Sequence, residues 1–394
     1  MRFRFNYLFT LVILSHMLQS HAQEIAGSAE KKGFWARWDS TRRAKVERGL
    51  PLFSPYVAPS FSPELGFVVS GGGLYSFATE PGNPEVDRSS IPFGAGISSN
   101  GSVFFNSRPT IYGKGDKLRA IGDFWYRDQP DHYYGVGFDN ARNTELSDTT
   151  TSYTRRWIRA FMKGMMKVRT NLFWGVVFDF NRTTASDLNV RMETDPAILR
   201  YGPEVTNTGL GLSVLFDSRD LIQNPYSGLL LDFNFLSYGT LLGGENDYQV
   251  LDMDYRHYAK VGKPRRTLAW EVRFRHTFND APWPELSQMG TPFDLRGYRW
   301  GRFRDEAMLF GILEYRHMLT STSSGKGWNF KERSGLVAWI AGGSIGQTVN
   351  DFDRWLPNAG VGYRFEVEDR MNLRFDYGFG IDSNFFYVSF NEAF

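Results

Sequence analysis

No cysteine occurs in the 394 residues. That absence excludes disulfides, thiolate catalysis and cysteine-based zinc sites, and it removes the cleavage-site cysteine that a lipoprotein anchor needs. Charge of one sign is also lacking: a formal net charge of +2 gives no global argument for a nucleic-acid partner. Beyond the N-terminus no apolar run approaches the ~20 residues of a membrane-spanning helix. Histidine is scarce, and His132, His257, His276 and His317 are not spaced as ligand pairs. None follows His317, so Gly342-Gly343-Ser344-Ile345-Gly346 matches the G-x-S-x-G pattern but has neither the helix nor the downstream histidine of a nucleophile elbow. The expectations are no enzyme, no cofactor and no metal.

What is present is rings and glycine. Aromatics make up 16% of the chain and glycines number 40, while the mean hydropathy is only -0.37. A membrane strand needs about 9 to 11 residues with half of them facing water, so a transmembrane barrel reads as hydrophilic on average.

Arg2 and Arg4, the apolar Tyr7 to Leu14 and the small-x-small Ser20-His21-Ala22 predict a cleaved signal peptide over 1–22. Residues 23–52 form a short lead carrying Phe34, Trp35 and Trp38 beside Arg37, Arg42, Arg43, Lys45 and Arg48. It reads either as an interfacial or plugging amphipathic helix or as a solvated periplasmic tail. Residues 53–394 then settle into strand-length segments.

The alternation is sharpest near the C-terminus, where Met371, Leu373, Phe375, Tyr377 and Phe379 share one face and Asn372, Arg374 and Asp376 the other. In the same way Leu268, Trp270, Val272 and Phe274 oppose Glu271, Arg273 and Arg275. The charged face carries both signs and the apolar face stays aromatic from strand to strand, which fits a lipid-facing exterior and a polar lumen better than a soluble sandwich. The predicted fold is a sixteen-stranded antiparallel transmembrane β-barrel. Its strands are expected near 53–62, 67–78, 89–99, 102–112, 118–128, 152–167, 170–181, 208–218, 228–239, 247–261, 265–278, 308–320, 334–345, 357–366, 370–380 and 384–394. The long connections 129–151, 181–207 and 277–307 then fall on the outer side.

Pro55 and Pro59 sit in the first strand, where proline cannot donate to a ladder, and the last strand runs through Phe390 to Phe394. Closure must pair these two strands. The seam, with Pro55, Pro59, Phe390 and Phe394, is expected to be the weakest joint.

Four stretches resemble the Omp85 superfamily of outer-membrane insertases and transporters. Leu295-Arg296-Gly297-Tyr298, between the eleventh and twelfth expected strands, resembles the family's loop signature. Leu313-Glu314-Tyr315-Arg316 resembles the strand after it, whose glutamate receives the loop arginine inside the lumen. Phe216-Asp217-Ser218-Arg219-Asp220, with Asn224-Pro225 and Gly228, resembles the family's D-x-R-D strand-turn-strand, and Phe394 its C-terminal recognition signal. The resemblance implies a long loop tucked into the lumen and locked by Arg296 on Glu314. Two departures stand out. Residues 23–52 leave no room for the family's periplasmic POTRA domains, and Ala341 stands where the next strand usually offers the arginine an aspartate.

The implied function is insertion, assembly or translocation of other outer-membrane proteins through the seam, in the bacterial outer membrane. The implied partners are membrane lipids, client outer-membrane proteins and periplasmic or outer-membrane accessory proteins, with no nucleic acid. Two alternatives stand beside it: a passive pore constricted by the loop, and a scaffold barrel holding dedicated partners.

Overall fold

The computed structural model describes residues 45, 46, 48–83, 86–319, 330–368 and 370–394. The expected signal peptide and nearly all of the lead segment lie outside the described residues.

Within the unit Gly49–Phe394 the wall is built of sixteen antiparallel strands in chain order. They are β1 (Leu52–Ser62), β2 (Gly66–Phe77), β3 (Ser89–Ser98), β4 in two pieces (Val103–Ser107 and Thr110–Tyr112), β5 (Leu118–His132), β6 (Ser152–Arg169), β7 (Leu172–Ser186) and β8 (Glu204–Asp217). The second half is β9 (Gly228–Tyr238), β10 (Tyr248–Lys260), β11 (Arg266–Phe278), β12 (Ala307–Met318), β13 (Ser334–Gly346), β14 (Leu356–Glu368), β15 (Met371–Phe379) and β16 (Asn384–Phe390). Closing the ring leaves no free edge except where the first and last strands meet.

Burial is inverted relative to a water-soluble protein. Phe67 is 73% exposed and Val57 76% on the outside, while Arg296, Glu314, Arg374 and Asp376 are fully buried inside. Lipid completes the apolar surface, and the wall spares the strand backbones from meeting hydrocarbon unpaired.

Several ends differ from the sequence expectation. β5 and β7 run four and five residues past the expected 128 and 181, because their partner β6 continues alongside both: Pro130 pairs with Thr154, and Thr154 with Ser186. Proline is tolerated there, since its fixed φ suits an extended backbone at a strand end. β4 is broken at Arg108-Pro109, where the peptide groups bond instead through Arg108 N to Pro92 O (3.2 Å) and Gly122 N to Pro109 O (2.9 Å). β16 stops at Phe390 because Asn391 takes a left-handed conformation (φ 64°) and turns the last residues out of the wall.

At the end of the barrel that carries the long connections, the loop between β5 and β6 holds a short helix (Phe138–Asn143). The loop between β11 and β12 carries a small hairpin pairing Ser287–Met289 with Phe303–Asp305. The two are joined by Gly137 N to Arg304 O (2.9 Å) and Arg302 Nε to Ala141 O (2.9 Å). Tyr133, Tyr153, Met192, Ile198, Val205 and Trp283 form an apolar core where these loops meet the β7–β8 connection.

Candidate functional site

Arg296 lies in the long β11–β12 loop, which enters the lumen, and its side chain is fully buried. One terminal nitrogen donates to Glu314 Oε2 at 2.5 Å and the other to Asp376 Oδ2 at 2.7 Å. The guanidinium also lies 3.5 Å from the centroid of the Trp339 ring. A planar cation with in-plane donors can bond two carboxylates while its face stacks on indole, which an ammonium cannot do.

The loop backbone is held as closely as the side chain. Gly297 N donates to Tyr387 Oη (3.0 Å), Ser383 Oγ donates to Gly297 O (2.5 Å), and Asn358 Nδ2 donates to Arg296 O. Tyr298 Oη donates to Pro357 O (2.7 Å) and accepts from Ile381 N (3.1 Å). Leu295 is fully buried in the apolar cluster beneath. Gly297 has φ 119°, and a Cβ there would stand 2.9 Å from the Gly378 backbone. Glycine at 378 is required for the same close approach, because its Cβ would come to 2.1 Å from Arg296 O. Asp294 starts the turn by accepting from Gly290 N (2.9 Å) and Thr291 N (2.6 Å); burial pushes its carboxyl above the usual range despite these bonds.

Asp376 is the residue the sequence reading did not nominate. Ala341 does face the lumen, paired with Ile312 and Asn358, and leaves the arginine without a carboxylate on β13. The second carboxylate comes from β15 instead. Its signal was available: Asp376 sits on the polar face of a sharply alternating strand, two residues before Gly378.

Around this pair a charge network fills the lumen. Arg316 Nε donates to Glu314 Oε1 (2.7 Å), and Arg364 bridges Asp376 Oδ1 (2.6 Å) and Glu392 Oε2 (2.8 Å). Arg374 Nη2 donates to Pro292 O (2.9 Å), tying β15 to the loop. Each buried carboxylate has at least two cationic or hydrogen-bonding partners, the condition for a buried ion network to hold.

The seam residues are placed less uniformly. Pro55 pairs with Gly73 and Pro59 with Val69 on β2, while Phe390 pairs with Leu373 on β15. Across the seam β1 and β16 share one aligned pair, Phe61 with Val388, whereas β1 pairs with β2 from Leu52 to Ser62. Phe394, expected on the seam, is instead inside: its ring lies 4.9 Å from the Arg316 guanidinium, and its backbone oxygen accepts from Arg316 Nη2 (2.9 Å). The left-handed turn at Asn391 carries Glu392 into the network and Phe394 with it.

The D-x-R-D segment spans the turn between β8 and β9, at the end of the barrel away from the long loops. Arg219 makes two bonds to Asp217 (2.9 and 2.8 Å), and Arg370, on the β14–β15 turn, reaches Asp220 Oδ2 (3.0 Å) and Asn224 O (2.6 Å). Burial raises the Asp220 carboxyl, but bonds from the Tyr226 and Ser227 amides and Arg370 outweigh it and hold it below its ordinary value.

With this geometry in place, a family model described as "Omp85 superfamily domain" matches residues 87–384, well over half the chain. Among solved structures the chain is similar to BamA from Haemophilus ducreyi lacking POTRA domains 1–3. The TM-score is 0.58 at 12% identity, covering 95% of this chain and 81% of that one. It is also similar to CdiB from Acinetobacter baumannii, with a TM-score of 0.53 at 11% identity, covering 87% of this chain and 59% of that one. At these identities the likeness is one of fold. No curated protein sequence matches.

Proposed function

This chain belongs to the Omp85 superfamily, and from that premise we propose that it assists insertion, assembly or translocation of other outer-membrane proteins at the β1–β16 seam, without chemical catalysis. The observation that carries this reading is the single aligned pair between β1 and β16. Because β16 ends at Phe390 and the following residues turn inward, the periplasmic part of β1 has no strand beside it on that side among the described residues. An unpaired edge offers its backbone to an incoming strand by β-augmentation, which lowers the cost of carrying peptide groups into lipid. The lumen lock supports the same reading, since it braces β12 and β15 from inside while one joint is left weak. The loop and the C-terminal residues in the lumen speak against a freely open pore.

Depletion followed by quantitative proteomics of the outer membrane tests the function. A joint fall of many unrelated barrels supports an assembly role, a fall of one small set supports a dedicated transporter or scaffold, and no change counts against assembly. The seam is tested separately by Phe61→Cys with Val388→Cys, in a chain that has no other cysteine. Directly opposed strand residues place their Cβ atoms about 4.5–5.5 Å apart, close enough to bridge with small adjustment. Oxidation is expected to abolish complementation and reductant to restore it; full activity with the bridge closed would sink the seam as the working edge.

A further inference from the structure

On the lumen face of β5 and β6, far along the wall from the Arg296 lock, two arginines are stacked on three tryptophans. The Arg127 guanidinium lies 4.4 Å from the Trp125 ring and 5.0 Å from Trp300, which the long loop contributes. Arg155 lies 4.2 Å from Trp157, and the Trp125 and Trp157 rings are 4.5 Å apart. Cross-strand pairing sets this ladder, with Arg127 opposite Trp157.

Stacking engages the faces of these groups and leaves their in-plane N–H donors unspent. Trp125 Nε1, Trp157 Nε1, and Arg155 Nε and Nη2 are all buried without a hydrogen-bond partner, and Arg155 is only 2% exposed. Thr183, fully buried and opposite Trp157 on β7, adds a hydroxyl that is also unpartnered. The Arg127 side chain makes no hydrogen bond or ion pair with any described residue; its contacts are the Trp125 and Trp300 rings. The nearby carboxylates are otherwise engaged. Asp131 accepts from Tyr153 Oη (3.1 Å) and approaches Arg155 Nη1 only to 3.7 Å, Asp123 is paired with Arg108 (3.0 Å), and Glu64 accepts from Trp300 N (3.4 Å). Buried donors left unpaired are costly, charged ones most of all, so a cluster of them beside two guanidiniums marks a place for an acceptor.

We propose that Arg127, Arg155, Trp125 and Trp157 form a lumen binding site for a single oxyanion of phosphate type. An oxyanion brings several acceptor lone pairs and a compensating negative charge together, matching the N–H donors that two guanidiniums and two indoles bring to this stretch of the lumen. The β4 residues opposite β5 at this level, Phe104 and Asn106, carry no charge that would repel it. The site is independent of the assembly reading, because none of its residues belongs to the Arg296 network or the seam.

The test is calorimetric titration of the full chain, folded in detergent micelles, with inorganic phosphate, glucose 6-phosphate and glucose. Either phosphate is expected to bind and glucose not to. Equal affinity for the two phosphates assigns a free oxyanion; binding of glucose 6-phosphate alone assigns one carried on a larger molecule. Arg127→Gln is expected to weaken binding tenfold or more, and Arg127→Lys to retain part of it. Trp125→Phe, which removes the indole donor and keeps a smaller aromatic ring, is expected to weaken it several-fold. Gel migration of unheated samples verifies that each variant is folded. No binding of either phosphate, or equal binding by the folded Arg127→Gln variant, overturns the site.

Discussion

The two ends of the barrel wall are built on opposite principles. From β12 to β15 the lumen face is charged and filled: Glu314, Arg316, Arg364, Arg374 and Asp376 are buried and interlinked, with Arg296 from the long loop at their centre. From β1 to β4 the lumen face is uncharged, with Ser54, Tyr56, Ala58 and Ser60 on β1, Ser70 and Gly72 on β2, Gly94 and Gly96 on β3, and Phe104 and Asn106 on β4. The first region gains rigidity from crossing the lumen, whereas the second has little more than its ladder, and that ladder almost ends at the seam. Rigidity is therefore placed where the loop docks and withheld where the ring closes.

The comparison is broken most severely at Arg296. Arg296→Ala leaves Glu314 and Asp376 buried without their shared cation, and removing one partner of a buried pair costs about 3–5 kcal/mol. The expected result is a large drop in the urea midpoint and protease cleavage within 279–306. An unchanged urea midpoint would mean that the buried pair does not hold the loop.

Gly378→Ala breaks the same region through the backbone. The new methyl would meet Arg296 O, so the loop must shift, at an overpacking cost of about 1–3 kcal/mol. Loop cleavage should rise without loss of the folded barrel on unheated gels.

Arg370→Ala tests whether the rigid side extends to the short turns at the other end of the barrel. Its bonds to Asp220 and Asn224 are partly exposed, so a loss of about 0.5–1 kcal/mol is expected, read as a small shift of the urea midpoint.

The smallest effect is expected in the other region. A Cβ at Gly71 meets nothing closer than Tyr56 O at 3.9 Å, so Gly71→Ala should stabilise the β1–β2 hairpin by about 0.5–1 kcal/mol. Slower hydrogen exchange in β1 and β2 is the readout. No change there would mean that the weakness near the seam does not come from backbone freedom.

Most of the wall was legible in the sequence, because a membrane strand must alternate and alternation is local. The misreadings fell where local pattern and pairing disagree: the strand expected to end at 128 continues through Pro130 beside its partner, and the strand expected unbroken over 102–112 is interrupted at Pro109. Phe394 kept the parity of the last strand, but one left-handed residue, Asn391, moved it from wall to lumen.

For the site, the loop signature nominated Leu295, Arg296, Gly297, Tyr298 and Glu314, and the structure brings all five together with partners that no spacing nominated. Asp376 lies 80 residues from Arg296, and Tyr387 lies 90 from Gly297. The sequence by itself determined the class of fold, the strand order and the outward aromatic face, since each depends on a period of two and on turn residues close in the chain. Only the tertiary structure decided which carboxylate replaces the missing one at Ala341, where the C-terminal residues go, and which donors in the lumen are left without acceptors. Those outcomes depend on closing the ring, which sets residues from distant strands face to face across a lumen too narrow to leave their charges in water.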